Sequence, residues 1–362
     1  MLFPQPTSFP AEHVRRAFGV SRIARVTGLD RTGVEVACAI RPGGHVLQVS
    51  NGKGRTFAQA ARAALSEAAE LAASERVPLP SLRFGTPSAL REAGCRTLEL
   101  PAPAGTEGVV RAWTEGRGVV TGKRAWVPAQ AVYCPPADVA LGPALYRWTS
   151  NGVAAHPRRG EALRHALNEV AERDQLARAL PHGWTKGEVQ RRRFTGGGLP
   201  AGLAALVRRV EASGFAVGLF DLRPDRGALG IPVAGALLVD RGGGPVALTA
   251  GYAASATWAG ALESALHEAA QSRLSDIHGA REDVSHGGGA EAEAVLAWLS
   301  RGGRRRVPVR STVAPPAKAE VSRLARAFVR AGLGEPVVVE LCRSPLHVLR
   351  VVVPGALTSG LL

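Results

Sequence analysis

The sequence has few cysteines, few aromatics and no long apolar run. Its four cysteines (Cys38, Cys95, Cys134 and Cys342) are scattered, with no CxxC pair. This argues against a disulfide framework and against a Cys/His zinc site; only Cys342 has a histidine close by, His347. Cys38 lies in an apolar, strand-like run and reads as a buried thiol. Aromatics make up 5% of the chain, too few for a stacking platform that grips single-stranded nucleic acid. No apolar run approaches the ~20 residues that span a bilayer. The opening stretch, MLFPQPTSFPAEH, lacks a basic region followed by an apolar core, so the expected location is the cytoplasm. No Walker P-loop is present.

What is there is an ordinary globular composition with a basic excess. Apolar residues are 46% and charged residues 21%. A chain of 362 residues suffices for two or three structural units. The net charge of +15 suits an acidic partner, whether nucleic acid, nucleotide phosphate or peptide. The excess is mostly arginine spread along the chain. Arg191–Arg193 and Arg304–Arg306 adjoin glycine-rich loops without interleaved aromatics, which disfavours nucleic-acid binding as the main role.

The stretch from Glu161 to Leu180 is predicted to be a helix. Leu163, Ala166, Leu167, Val170, Leu176 and Ala177 form an apolar stripe at helical spacing. Glu161, His165, Glu169 and Glu172 share another face, and Arg173 follows. Carboxylates on one face repel one another unless a metal ion, arginines or open water neutralise them. The pattern recurs. Glu67 and Glu70 stand alike in a first helix, Phe57–Ser74, and Glu268 and Gln271 in a third, Trp258–Ile277, at intervals of about 100 residues. Three unrelated surface helices would not keep one acidic pair in register, so the three are expected to line one pocket. Asn51-Gly52-Lys53-Gly54 reads as a glycine turn ahead of the first helix, equally suited to a phosphate or to a plain turn. Asn151 stands in a second such turn. Short strands (Ile23–Val26, Val34–Ile40, Val46–Val49, Thr97–Leu100, Val109–Thr114, Phe215–Leu222, Ile231–Asp240, Pro245–Ala250) alternate with helices throughout, giving a mixed α/β class.

These segments resemble the YcaO family. The residues that carry the likeness are SRIARVTGLDRTGVEVACAIRP at 21–42, NGKGRT at 51–56 with QAARAALSEAAE at 59–70, and SNGVAA with EALRHALNEVAERD at 150–174. ALHEAAQSRL with GARED at 265–283 and VVVPG at 351–355 complete the set. The resemblance implies one YcaO-like domain over 1–362, with approximate subdomains 1–148, 149–250 and 251–362 around a central ATP pocket. It also implies an ATP- and Mg2+-dependent enzyme that activates a peptide backbone amide by O-phosphorylation. Glu67, Glu70, Glu169 and Glu172 would be metal ligands and Glu161 a ligand or orienter; Arg173, Arg273 and Arg281 would balance the phosphates. Arg22, Lys53, Asn151 and Gln271 complete the implied nucleotide set, although Arg22 and Lys53 read equally well as surface bases. His165 shares the acidic face and reads as a structural hydrogen-bonding group.

Azoline-forming members of the family typically end in a Pro-rich tail. Here the end is VVVPGALTSGLL, which is similar to the branch that forms thioamides with a TfuA-type partner. The implied partners are a peptide or protein substrate and a TfuA-like or leader-binding protein; a homodimer is compatible with the sequence. Azoline formation is the alternative chemistry, and a non-catalytic nucleotide- or peptide-binding scaffold the alternative class. Departures bear on the latter. Ala63 stands where the family usually has Ser, Leu71 where Arg is common, Pro157 where Asn is common, and Ala154 where some members have Ser. Each lost hydroxyl or amide removes a hydrogen bond worth ~0.5–1.5 kcal/mol net. The glutamates remain.

Overall fold

Three stretches in which a strand, with a glycine in it or just before it, runs into an alanine-rich helix organise the structure. It is a computed structural model that describes residues 9–136, 139–279, 289–308 and 313–361. After α1 (Ala11–Ala17), the strands β1 (Arg22–Arg25), β2 (Glu35–Ile40) and β3 (Val49–Gly54) form an antiparallel sheet, and α2 (Phe57–Glu75) follows directly. β4 (Arg83–Gly85), α3 (Pro87–Glu92), β5 (Arg111–Gly118), β6 (Arg124–Pro128) and β7 (Val153–His156) lead into α4 (Arg159–Ala179). Then come α5 (Lys186–Arg192), α6 (Ala201–Ala212) and a second three-stranded sheet of β8 (Phe215–Asp221), β9 (Val233–Asp240) and β10 (Leu248–Ala254), which runs into α7 (Trp258–Ile277). α8 (Gly289–Leu299), α9 (Ala317–Arg330), β11 (Val337–Cys342) and β12 (His347–Val352) complete the described elements.

The largest sheet has the order β4-β5-β11-β12-β7, with β6 on β5. Its central strands thus come from late in the chain, and it draws on both sides of residue 148. α4 packs on it through Leu163, Leu167 and Val170 against Leu349 and Val351. α2 packs on the other face through Ala64, Ala68 and Ala69 with Val153, Ala155 and Val348. Among the described residues no helix is long and apolar enough to cross a membrane.

The three acidic helices form where the spacing predicts them. Thr56 and Thr257 cap α2 and α7, each accepting a backbone N–H three residues on. The NGKG expectation is corrected: these residues belong to β3, paired with β2 from Val49↔Ile40 to Gly54↔Glu35. Gly52 is small for another reason than turning. A Cβ there would stand 2.8 Å from Ala63 C and closer still to Ala64 N and Ala60 O of α2. Gly251 does the same in β10, where a Cβ would stand 2.8 Å from Glu268 C. Glycine in a strand here marks the close approach of another backbone. Thr97–Leu100 forms no strand and makes only an isolated bridge, Thr97 to Trp126.

Candidate functional site

The strand–helix units meet head to tail. Glu70 on α2 accepts a hydrogen bond from Ala155 N at 2.8 Å, at the start of the second unit. Glu172 on α4 accepts from Ala254 N at 3.3 Å, at the start of the third. Ala155 and Ala254 each lie three residues beyond the glycines Gly152 and Gly251, so the two bonds are equivalent. The ring closes differently. β3 turns Gly52 towards α2 and its alternate residues, Asn51 and Lys53, towards α7. Lys53 pairs with Glu268, and Asn51 Nδ2 donates to Ser275 Oγ at 2.7 Å. Cys38 is a buried thiol, as its setting predicts; it donates to Asn51 Oδ1 at 2.9 Å, and burial pushes it up to about 11.

Glu169 accepts from Gly152 N at 3.2 Å. Arg173 lies 3.7 Å from Glu169 Oε1 and 3.6 Å from Glu172 Oε1. Protein surrounds these carboxylates on most sides, yet 26% of the Glu169 side chain and 11% of the Glu172 side chain stay open to solvent. Burial raises Glu70 well above the usual carboxylate range, and the charges of Glu169 and Glu67 add to it. Burial also raises Glu169, against Arg173 and Arg350. Burial and Glu268 push Glu172 up to about 8. The charges of Glu67, Glu169 and Glu268, on three helices, therefore oppose ionisation of Glu70, Glu169 and Glu172, while Lys53, Arg173 and Arg350 favour it in Glu169 or Glu172.

Such a site favours a cation. Among the described residues no three Asp, Glu, His or Cys side chains converge as a closed metal cage. Mg2+ does not need one: it keeps waters and takes one or two carboxylates together with phosphate oxygens. The buried Asn151 Oδ1, without a hydrogen-bond partner, offers a further oxygen in the turn that presents Gly152. The residues fit Mg2+ carried in with a polyphosphate.

Raised carboxylates couple stability to pH. A group whose folded pKa exceeds its unfolded value stabilises the fold fully below the unfolded pKa and loses that contribution as pH rises through the folded pKa. For Glu172 the window runs from the ordinary carboxylate range to about 8. In chelator, the chain is expected to melt lower at pH 8.5 than at pH 5.5. Glu172→Gln is expected to remove part of that slope and raise the melting point at pH 8.5 by about 5 °C. Scanning calorimetry at both pH values checks this; equal slopes for both proteins would refute it.

Of the other predicted site residues, Gln271 is half-buried one turn beyond Glu268. Glu161 is not brought to the cluster. Against partial burial, Arg164 holds it below its ordinary range, with Arg164 Nε at 2.8 Å and Arg158 at 3.7 Å. Arg273 is a correction: it is buried and engaged by Asp30, Asp240 and Val246 O, so its charge is satisfied away from the carboxylates. Arg22 is exposed at the start of β1, with no polar contact to the cluster. Arg281 lies outside the described residues. His165 is exposed on the acidic face beside Arg164, its ring 6.0 Å from that of His156.

Two residues that sequence reasoning left out of the site belong to its surroundings. Glu268 stands outside the implied ligand set, although its register with Glu67 and Glu169 is visible in the sequence. Arg350, 7% exposed, donates to Thr149 O at 2.6 Å and acts on Glu169. Its signal is an arginine inside an apolar strand, HVLRVV. Two clefts of about 470 and 460 Å³ lie elsewhere, and none of the five carboxylates lines either.

Comparison with known proteins gives a consistent result. The sequence matches the YcaO cyclodehydratase family, described as ATP- and Mg2+-binding, over residues 51–357. It is similar to an uncharacterized protein of Methanothermobacter thermautotrophicus, 32% identical over 74% of this chain and 68% of the relative. It is also similar to a Rhizobium leguminosarum bv. trifolii protein in the tfuA 3' region, 27% identical over 94% of this chain and 84% of the relative. In fold it is similar to YcaO from Methanopyrus kandleri, solved with AMPPCP and Mg2+, with a TM-score of 0.74 at 23% identity over 95% of this chain and 87% of that one. A heterocyclase solved with substrate and cofactor gives 0.72 at 19% identity, over 99% of this chain and 54% of the heterocyclase.

Proposed function

The chain belongs to the YcaO family, and on that premise we propose that it uses ATP and Mg2+ to activate a peptide backbone amide by O-phosphorylation. The observation that carries this reading is the set of carboxylates on α2 and α4, raised by burial and by one another beside Lys53 and Arg173. We assign Glu67, Glu70, Glu169 and Glu172 to Mg2+. Lys53 and Arg173 hold phosphate oxygens, with Asn151, Gln271 and Glu268 completing the wall. ATP supplies the phosphoryl group that makes the amide oxygen a leaving group, and Mg2+ screens its charge. The chain's own part is orientation: Ala155 N, Gly152 N and Ala254 N fix three of the glutamates before the ligand arrives.

We read thioamide formation with a TfuA-like partner as the preferred outcome, and the single domain over 1–362 as the working unit. One observation supports it: a relative 27% identical over 94% of this chain lies in a tfuA 3' region. The test is incubation with a candidate precursor peptide, ATP, a sulfide source and a TfuA-like protein, followed by mass spectrometry. Exchange of oxygen for sulfur supports this reading. Loss of water supports azoline formation instead, and ATP binding without either product moves the scaffold reading ahead.

Lys53 gives a narrower check. Lys53→Met removes one charge-assisted hydrogen bond to phosphate and leaves Glu268 unpaired. ATP affinity is expected to fall about tenfold or more by calorimetry. Unchanged affinity would remove Lys53 from the nucleotide set.

A further inference from the structure

The two arginine triplets that are far apart in the sequence meet in space. Phe194, which follows Arg193, forms a parallel bridge with Arg305. Arg193 O accepts Arg304 N at 3.2 Å and Arg305 N at 3.1 Å, and Thr195 N donates to Arg305 O at 2.7 Å. Arg193 itself donates to Leu299 O and, at 3.0 Å, to Arg301 O. The backbone is therefore locked before any partner arrives, and the side chains around it are overwhelmingly basic. Glu188, Asp221 and Asp225 neutralise part of the group: Arg191 pairs with Glu188 and Asp225, Arg192 with Glu188, and Arg223 and Arg305 with Asp221. Arg226, Arg301, Arg304 and Arg306 are exposed and have no ion pair among the described residues. Arg223 also lies over Trp258, the first residue of the α7 helix that carries Glu268.

We propose that this platform docks an acidic stretch of the peptide or protein substrate, and that it supplies affinity beyond that of the carboxylate site. Guanidinium groups pair bidentately with separate carboxylates. A polypeptide can set its acids over Arg301, Arg304 and Arg306 and leave Glu188 and Asp225 uncovered. A phosphate backbone, with evenly spaced charge, is less able to avoid those two acids. Nor is there an exposed ring for base stacking: Phe194 is 4% and Trp258 6% exposed.

The platform rests on the peptide reading above, so its test separates the two. The probe is a fluorescent ten-residue polyglutamate, titrated by anisotropy into the full chain at low salt. The platform variant is Arg301→Ser/Arg304→Ser/Arg306→Ser. The control removes three exposed arginines from α9, Arg323→Ser/Arg326→Ser/Arg330→Ser, and has the same net charge. Loss of about tenfold or more in the platform variant, and less than threefold in the control, is the expected result. Equal losses would overturn the platform by reducing it to net charge, as would no loss in either. Tighter binding of a ten-nucleotide oligonucleotide, abolished by the platform variant, would overturn it in favour of nucleic acid. Mg-ATP titration of the same proteins reports separately on the proposed function. The platform variant is expected to keep wild-type ATP affinity, and a loss there would mean that the patch acts through the fold.

Discussion

Changing Glu169 and Glu172 together to glutamine is expected to lower Mg2+-dependent ATP affinity by about 100-fold or more. The substitution removes two charges and little else. Glutamine keeps an oxygen able to accept from Gly152 N and Ala254 N, so the turn and strand end that meet α4 stay in place. What disappears is the ionisable pair that a divalent cation would hold ionised. Titration calorimetry with ATP, with and without Mg2+, reads the effect. The same protein in chelator is expected to be more heat-stable than wild type at high pH, because the opposed carboxylates around Glu268 are reduced in number. Affinity lost together with fold would say nothing special about the site; affinity lost while stability rises identifies a binding function. Retained Mg-ATP binding would place the nucleotide elsewhere.

The second large effect is steric. Gly52→Ala and Gly251→Ala are each expected to lower the melting temperature by about 10 °C or to prevent accumulation of folded protein. At both positions the new methyl would meet helix backbone, which has no rotamer to move aside. Relief would require β3 to leave α2, or β10 to leave α7, and each shift would carry a site wall with it. Gly197→Ala is the control, because nothing stands within 4 Å of its added carbon. Its melting point is expected to stay within about 1–2 °C of wild type. If Gly52→Ala melted like Gly197→Ala, the close strand–helix contact would be wrong.

The acidic helices were legible because a helix advertises its faces through spacing alone. Glu67, Glu169 and Glu268 could be set in register without knowing what lay opposite them. The strands beneath them were harder. NGKG has the composition of a turn, and its glycines are explained only by the backbone of α2, which the local sequence does not contain. Arg273 was misplaced for a reason the sequence did hold. Five residues beyond Glu268 is about 140° around a helix, so it faces Asp30 and Asp240. Glu161 shares the right face but lies two turns away, where Arg158 and Arg164 claim it. Arg350 stands out in the sequence as a charge inside an apolar strand, but only the pairing of β12 with β7 brings it to Glu169. Long-range placement of this kind depends on topology, which periodicity does not encode.

The position of β12 also sets when the site can exist. β7 ends in Ala155 and His156, and its only strand partner among the described residues is β12, about 190 residues further along. On a ribosome making ~5–20 residues per second, β7 waits roughly 10–40 s for that partner. Throughout that interval Glu70 lacks a fixed Ala155 N–H and Glu169 lacks a fixed Gly152 N–H. The emerging chain can form α2 and α4 early, yet it holds their acids unmatched until β11 and β12 slot between β5 and β7. On the proposed site assignment, nucleotide capture would therefore be a late event in the life of each molecule, and a bound nucleotide would certify that the middle of the sheet has been filled.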